Sequence, residues 1–275
     1  MCILFLHVDP DPKEGDYRLV IATNRDEFYR RPAQPAFKDE WNIIAGRDLE
    51  KGKEGGMWLG FRSSDQENGK GKKHRFSCLL NVTGAISENA CGRGFIVSDY
   101  LKSQKEFPQY AKQLNEKTHS GFNFVAVELS KDDTTVFHHS NLPQSVSIYP
   151  GKQTLAFGNS PIYSPYTKVL IGRYQFLDIL AKGLNKDELE KELIELLRDR
   201  TRHLPDLELH KRKPEAHEPL SSIFIEIDPP GYGTRTHTVI LIDYNWNLEF
   251  IEYTMEEPIN ISNPKWNVTR IKSRL

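Results

Sequence analysis

Cys2-Ile3-Leu4-Phe5-Leu6-His7-Val8 and Arg18-Leu19-Val20-Ile21-Ala22-Thr23 are two short apolar, β-prone runs, separated by Asp9-Pro10-Asp11-Pro12-Lys13-Glu14-Gly15-Asp16. The separating stretch is dense in turn formers, so the chain reads as a hairpin that begins at residue 2. Working outward, further strand candidates are 42–46, 57–61, 75–82, 122–129, 134–139, 154–158, 221–227, 236–243 and 247–253. Many are continuous apolar runs, as strands buried on both faces should be. So many strands require two sheets. Helical signals are fewer. Asn185 followed by Glu188 forms a capping-box pattern ahead of Leu189, Leu193, Ile194, Leu196 and Leu197, which predicts a helix over 186–199. Ser164-Pro165 suits the start of another, running to about 182, and a third is expected over 94–103. Strands at both ends with helices between them fit an α+β fold in which helices cover the outer faces of two packed sheets. One domain spanning 1–275 is expected, with flexible surface loops at 62–74 and 201–219, where polar and charged residues, glycine or proline accumulate.

Composition excludes several function classes. The chain has 275 residues, 27% of them charged, with 37 basic and 38 acidic residues and a formal net charge of −1. A near-neutral balance argues against a general electrostatic grip on nucleic acid or acidic membrane. Cys2, Cys78 and Cys91 form an odd set without zinc-site spacing or the even count of a secreted disulfide framework, so a reducing compartment is expected. No apolar run reaches the roughly 18 to 20 residues of a membrane span, and neither a signal peptide nor a transit peptide is evident. The expected location is the cytoplasm, not the secretory lumen, so Asn81-Val82-Thr83, Asn260-Ile261-Ser262 and Asn267-Val268-Thr269 are read as chance glycosylation triplets.

Chemistry concentrates near the N-terminus. Removal of Met1 would leave Cys2 with its own α-amino group as a base. With pKa values of about 7.7–8.0 for the amine and about 8.5 for the thiol, proton exchange near neutrality needs little tuning, and acyl transfer is the expected reaction. Cysteine at this place equally suits a small apolar residue opening a buried strand. Asn24-Arg25-Asp26-Glu27 follows directly on an apolar strand, and the stretch to Arg31 mixes three arginines with two carboxylates. It could hold an anion by charge-assisted hydrogen bonds, or form a solvated turn with internal ion pairs. Gly55-Gly56-Met57-Trp58-Leu59-Gly60 and Gly231-Tyr232-Gly233-Thr234-Arg235-Thr236 read as tight turns rather than phosphate loops, with Thr234 to His237 at the mouth of a strand. The histidines match no metal pattern, and no metal site is expected.

Taken together, Met1-Cys2-Ile3, Ala22-Thr23-Asn24-Arg25-Asp26-Glu27-Phe28-Tyr29-Arg30-Arg31-Pro32, Gly55 to Gly60, Leu80-Asn81-Val82-Thr83 and Gly231 to Thr236 resemble, in this order, the transport and Golgi organization protein 2 family. The resemblance spans nearly the whole chain. It implies an N-terminal nucleophile hydrolase-like fold, a four-layer αββα sandwich of two mainly antiparallel sheets. It extends to cysteine amidases acting on bile salts and penicillin V, which implies Cys2 as nucleophile, Asp26 orienting the amine, and Asn81 and Asn159 stabilising an oxyanion. Thr23 stands where those amidases carry an arginine, and Arg25 or Arg235 is the available substitute. The family itself is linked to intracellular haem trafficking, and acyl-coenzyme A binding through the Asn-Arg-Asp-Glu motif has been proposed for it. The resemblance therefore implies a carrier of haem or an acyl-coenzyme A-like ligand, with no required cofactor and with haem as cargo. Such a carrier would work in the cytoplasm and extend to mitochondria, in transient contact with organelle membranes. Ligand-contact candidates are Asn24, Arg25, Asp26, Glu27, Arg30, Arg31, Trp58 and Arg235. Cys2 and Met57 are candidate haem ligands. A structural adaptor in organelle organisation, needing no cleft chemistry, is the third reading.

Overall fold

The computed structural model describes residues 1–65 and 72–275. In chain order the strands and helices are β1 (Ile3–Val8), β2 (Tyr17–Phe28), β3 (Ala33–Lys38), β4 (Ile43–Asp48), β5 (Leu59–Asp65), β6 (Lys72–Asn81), α1 (Ile96–Lys102), α2 (Phe107–Leu114), β7 (Phe122–Leu129), β8 (Thr134–Asn141), β9 (Gln144–Pro150), β10 (Gln153–Phe157), α3 (Thr167–Ala181), α4 (Lys186–Leu197), α5 (Leu207–Arg212), α6 (His217–Leu220), β11 (Glu226–Ile227), β12 (Tyr232–Asp243), β13 (Asn247–Met255) and β14 (Trp266–Arg274). One antiparallel sheet has the order β10-β1-β2-β12-β13-β14, with β11 on β12, and the other runs β3-β4-β5-β6-β7-β8-β9.

Alternation along each strand builds the layers. Leu4, Leu6, Leu19, Ile21, Ile240 and Phe250 of the first sheet meet Phe61, Phe76, Leu80, Val125 and Val127 of the second in a core between the sheets. The residues in between, Ile3, Phe5, Val20, Ala22, Val239 and Ile251, face outward onto Val169, Phe176, Leu193 and Leu197 of α3 and α4. On the far side, Ile43, Ala45, Phe124 and Ala126 pack against Val97, Tyr100, Phe107 and Tyr110 of α1 and α2. The order is helices, sheet, sheet, helices. Both central sheets are covered on both faces, which is why their strands read as continuous apolar runs. The capping box of α4 is formed: Asn185 Oδ1 accepts from the Asp187 and Glu188 amides at 3.1 Å each, and Glu188 reaches back to the Asn185 amide.

Several boundaries differ from the sequence reading. β2 runs through Asn24-Arg25-Asp26-Glu27, so the motif lies within a strand and not after one. Its polar side chains are tolerated there because they find buried partners, described below. Of the loop expected at 62–74, residues 62–65 and 72–74 are paired strand, with Arg62 opposite Arg75 and Ser63 opposite His74; residues 66–71 lie outside the described residues. The loop expected at 201–219 carries α5, with Asp206 as its N-cap, and most of α6. The strand expected at 221–227 shrinks to β11, because Phe224 bonds back to the Asp199 carbonyl and Ile223 and Ile225 are buried against α3 and α4. Among the described residues no helix is long and apolar enough to cross a membrane.

Candidate functional site

Pairing of Ile3 with Asn24 brings the N-terminus alongside the polar end of β2. Side chains alternate from there. Even-numbered Asn24 and Asp26 face the α3 and α4 side, and Arg25 faces the second sheet. Asn24 is tied down completely: its Nδ2 donates to the carbonyls of Leu197 and Ile223 at 2.8 and 3.1 Å, and its Oδ1 lies 2.7 Å from His237 Nδ1. Asn24 is thus an internal fastener between β2, β12 and the segment after α4.

Asp26 is buried. Its Oδ1 accepts from the Thr234 hydroxyl at 2.6 Å, and its Oδ2 lies 3.8 Å from the ammonium of Met1 without a hydrogen bond. Burial pushes this carboxyl above the usual range, and the ammonium and Lys168 oppose that rise. Lys168 on α3 is itself buried, donates to the Ser222 carbonyl at 2.8 Å, and is lowered by burial to about 8 while the charges of Asp26 and Cys2 pull it back up. The Cys2 thiol lies 4.0 Å from the Asp26 carbonyl oxygen. Burial raises its pKa, with the N-terminal ammonium the strongest opposing influence and Arg25 a weaker one. In this arrangement the resting thiol is protonated.

Cys2, Arg25, Asp26, Glu27, Arg31, Met57, Trp58, Leu79 and Asn81 line a cleft of about 410 Å³ between the ends of the two sheets. That volume lies within the roughly 300–1,000 Å³ of small-molecule sites. Gly52, Lys53 and Asp48 close one side, and the segment from Ala90 to Phe95 closes another. These two rims touch through glycine: the Met57 amide donates to the Gly94 carbonyl at 2.8 Å, and a Cβ on Gly56 would lie 3.3 Å from that same oxygen. The stretch Gly55 to Gly60 reads as a tight turn from sequence, but the approach of Gly94 to it does not.

Arg25 is the most informative group on the wall. Its guanidinium lies 4.2 Å from the centroid of the Trp58 ring, and its buried Nη1 has no hydrogen-bond partner among the described residues. Burial, and the nearby charge of Arg235, lower its pKa to about 10. Arg31, by contrast, is spent on neighbours: it bonds Asp48 through Nε and Nη2 at 3.2 and 2.5 Å and Glu27 through Nη1 at 2.9 Å. Arg30 is exposed beside Phe28 and lies off the cleft wall. Arg235 is fully buried at the bulge in β12. It binds the carbonyls of Phe28, Tyr29 and Arg31 and the carboxylate of Glu257, and so braces the turn after β2 instead of lining the cleft. Of the two arginines considered as the substitute at the thiol, the geometry favours Arg25. Asn81 presents an exposed side chain on the wall. Asn159 is buried behind it, donating to the Asn81 carbonyl at 2.6 Å.

A larger cavity of about 570 Å³ lies elsewhere, lined by Lys186, Glu249 and Lys272 among others. Its two lysines are tied to Glu249, at 3.2 and 2.7 Å, while Arg274 also lines it. Among the described residues no group of three or more His, Cys, Asp or Glu side chains could hold a metal ion.

The sequence profile of the family described as Transport and Golgi organisation 2 matches residues 1–257. The chain belongs to that family. It is 35% identical to Transport and Golgi organization protein 2 of Drosophila melanogaster, over 99% of this chain and 98% of the relative. It is 33% identical to the Bos taurus homolog, over 100% and 99%, and 34% identical to the Homo sapiens homolog, over 93% of each. The family match therefore includes every strand of the cleft, since β1, β2 and the segments from Asp48 to Phe95 all fall inside it. Lys168 and Cys91 were not singled out as site residues from sequence; the packing of α3 brings Lys168 near Asp26, and a bond from the Cys91 amide to the Thr118 carbonyl at 2.8 Å holds Cys91 at the rim of the Transport and Golgi organisation 2 fold.

Proposed function

We propose that this chain carries a small amphipathic molecule bearing acid groups, with haem as the cargo that the family resemblance suggests, and that the cargo occupies the cleft over Cys2. The observation that carries the reading is Arg25: a buried guanidinium, stacked on Trp58, with Nη1 unpartnered among the described residues. A buried donor without an acceptor is costly, and an entering carboxylate or phosphate would supply a charge-assisted partner. Met57, Trp58 and Leu79 give the same wall apolar surface. Sulfur from Cys2, Met57 or Cys91 suits weak ligation of iron, and among the described residues no histidine lines the cleft. Weak ligation fits a protein that must release what it binds. Acyl-coenzyme A shares the required features, an apolar chain and acidic phosphates, with Lys53 and Arg93 at the rim as further cations. The test is calorimetric titration with haem and with an acyl-coenzyme A. Arg25→Met should weaken binding of the true cargo about tenfold or more; equal affinity in the variant would remove the basis of the reading.

A second reading, a cysteine amidohydrolase, is favoured by one specific contact, the 3.8 Å approach of the N-terminal ammonium to buried Asp26 beside Cys2. With Met1 removed, the Cys2 thiolate would attack an amide carbonyl carbon, its α-amine would carry the thiol proton to the departing amine, and water would then cleave the thioester. The Asn81 side chain on the wall could donate to the oxyanion, while Asn159 would hold the Asn81 backbone. Intact mass of the native protein, with a panel of amide substrates and a Cys2→Ala control, tests it. Cys2-dependent turnover by chains lacking Met1 would demote the carrier; retained Met1 with no turnover would remove the hydrolase.

A further inference from the structure

The two packed sheets end laterally in β3, β9, β10 and β14. An edge strand presents a row of unpaired backbone N–H and C=O groups that invites another strand, and proteins blunt it with proline, bulges, charge or cover. Three of these edges are blunted. β3 contains Pro35 and a register shift between Gln34 and Phe37. β14 carries Arg270, Lys272 and Arg274 at exposed positions. On β10 the Thr154 carbonyl accepts from Arg173 Nε at 2.9 Å, and α3 lies alongside.

β9 has none of these devices. Gln144 to Pro150 contains no charged residue, its one proline closes the strand, and its register against β8 is unbroken. Among the described residues β8 is the element that packs along it, and a single side chain, His139, reaches its backbone, at the Ser145 carbonyl. Val146 and Ile148 are 44% and 54% exposed, although their partners on β8, His139 and Phe137, are buried. Phe137 stacks on Phe107 of α2, so the apolar outer surface of the second sheet runs out to β9 and stops there in solvent. The neutrality extends past the strand. Between Asp133 and Lys168, counting histidine as neutral, the sole charged residue is Lys152, in a chain of which 27% is charged. Depletion of charge marks the core of protein interfaces.

A bilayer cannot pair backbone groups, and the cation Lys152 is held by Asp9 at 2.7 Å. Reading a foreign peptide needs pockets for its alternate side chains, and neither cavity described above borders β9. β9 does match itself. Antiparallel pairing about a two-fold axis at Ser147 sets Val146 against Ile148 of the second copy and Ser145 against Tyr149, with no like charges opposed.

We propose that two copies of this chain associate through β9, joining their second sheets into one continuous antiparallel sheet. The contact is isologous, as a two-fold dimer requires. Each β9 loses its free edge, and Val146 and Ile148 of each copy cover those of the other. Because the axis reverses strand direction, the two clefts open toward opposite ends of the joined sheet, so the inference does not depend on what they hold.

Sedimentation velocity of the full chain at micromolar concentration should give twice the monomer mass of 31.7 kDa. Val146→Lys combined with Ile148→Lys sets like charges across the axis and should return the monomer mass. Both side chains are exposed, so circular dichroism and melting temperature should match wild type. Crosslinking tests the register, in a Cys91→Ser background that removes the exposed native thiol. Ser147→Cys should link two copies at position 147 when glutathione disulfide takes up the two electrons and two protons, because directly paired residues lie about 4.5–5.5 Å apart between Cα atoms. Gln144→Cys should not link, since Gln144 lies opposite Pro150 of the second copy. A monomer at every concentration overturns the proposal and leaves the edge to a foreign strand. A dimer that survives the lysine substitutions, or one crosslinked as readily at 144 as at 147, overturns it too, because the copies then meet elsewhere.

Discussion

His237 Nδ1 and Asn24 Oδ1 lie 2.7 Å apart inside the protein. Because Asn24 Nδ2 already donates to Leu197 and Ile223, its oxygen must accept, which places the imidazole proton on Nδ1 and leaves Nε2 bare beneath the stacked Trp266 ring. The first residue of the Asn-Arg-Asp-Glu motif is therefore a fastener of the fold, while its neighbour Arg25 faces the cleft. Asn24→Ala would strand two carbonyls and an imidazole N–H, so a loss of about 3 kcal/mol is expected in urea denaturation. The folded fraction should keep its ligand affinity. A stable Asn24→Ala protein that no longer binds would reverse this division of labour.

Gly172 sets how closely α3 lies on the first sheet. A Cβ there would sit 2.5 Å from Phe5 Cζ and 3.0 Å from Ile223 Cδ1, well inside contact distance. Alanine gains about 1 kcal/mol of helix propensity, but overpacking against two buried side chains costs roughly 1–3 kcal/mol. Gly172→Ala should lower stability, and Phe5→Leu in the same chain should recover part of the loss. A Gly172→Ala protein more stable than wild type would show that α3 can lift without cost.

What could be read from sequence follows from burial. The run at 122–129 matches β7 residue for residue, because a strand covered on both faces is apolar at most positions, here all but Asn123 and Glu128. The edge strands β9 and β14 escaped notice: each alternates between exposed and partly buried positions, and Gln144-Ser145-Val146-Ser147 carries little apolar signal. β3 was masked by Pro35, and α2 by its shortness. At the site, Cys2, Arg25, Asp26, Glu27, Trp58 and Asn81 were all named from sequence and meet in one cleft. Arg30 and Arg235 were named beside them and lie elsewhere: Arg30 is exposed, and Arg235 is spent on backbone carbonyls, which charge in a sequence does not reveal. Lys168 and the rim at 90–95 depend on contacts between distant strands and helices, which local pattern cannot reveal.

Acid should unfold this protein through its buried histidines. His74 and His138 are lowered to about 4 and His237 to about 3, in each case chiefly by burial. A histidine with a depressed folded pKa contributes stability that is present above its unfolded value near 6.5 and is lost as pH falls below it. Glu252, raised to about 7, works in the opposite sense, favouring the folded state as pH falls from 7 toward the ordinary glutamate range. Between pH 7 and 5 the three histidines together withdraw about 6 kcal/mol and Glu252 returns about 2, so a net loss on the order of 4 kcal/mol is expected. Urea midpoints across that range measure it, and His237→Gln should flatten the profile. A pH-independent midpoint would mean that these rings are protonated within the fold.

The three cysteines should separate by reactivity. Cys91 is exposed on the rim, Cys2 is half-buried on the cleft wall, and Cys78 is enclosed in the core between the sheets. Burial raises the Cys2 pKa and places that of Cys78 well above the ordinary thiol value. Since the thiolate is the nucleophile, alkylation at neutral pH should run Cys91 first, then Cys2, then Cys78, as followed by peptide mass spectrometry. Arg25→Met removes a cation that favours the Cys2 thiolate and should slow Cys2 further, leaving Cys91 unchanged. A cleft ligand should protect Cys2 and Cys91 together without affecting Cys78. If Cys2 instead outruns the exposed Cys91 at neutral pH, the thiol is activated within its pocket. That outcome would favour the amidohydrolase over the carrier, because a protein that only holds its cargo has no use for an activated nucleophile.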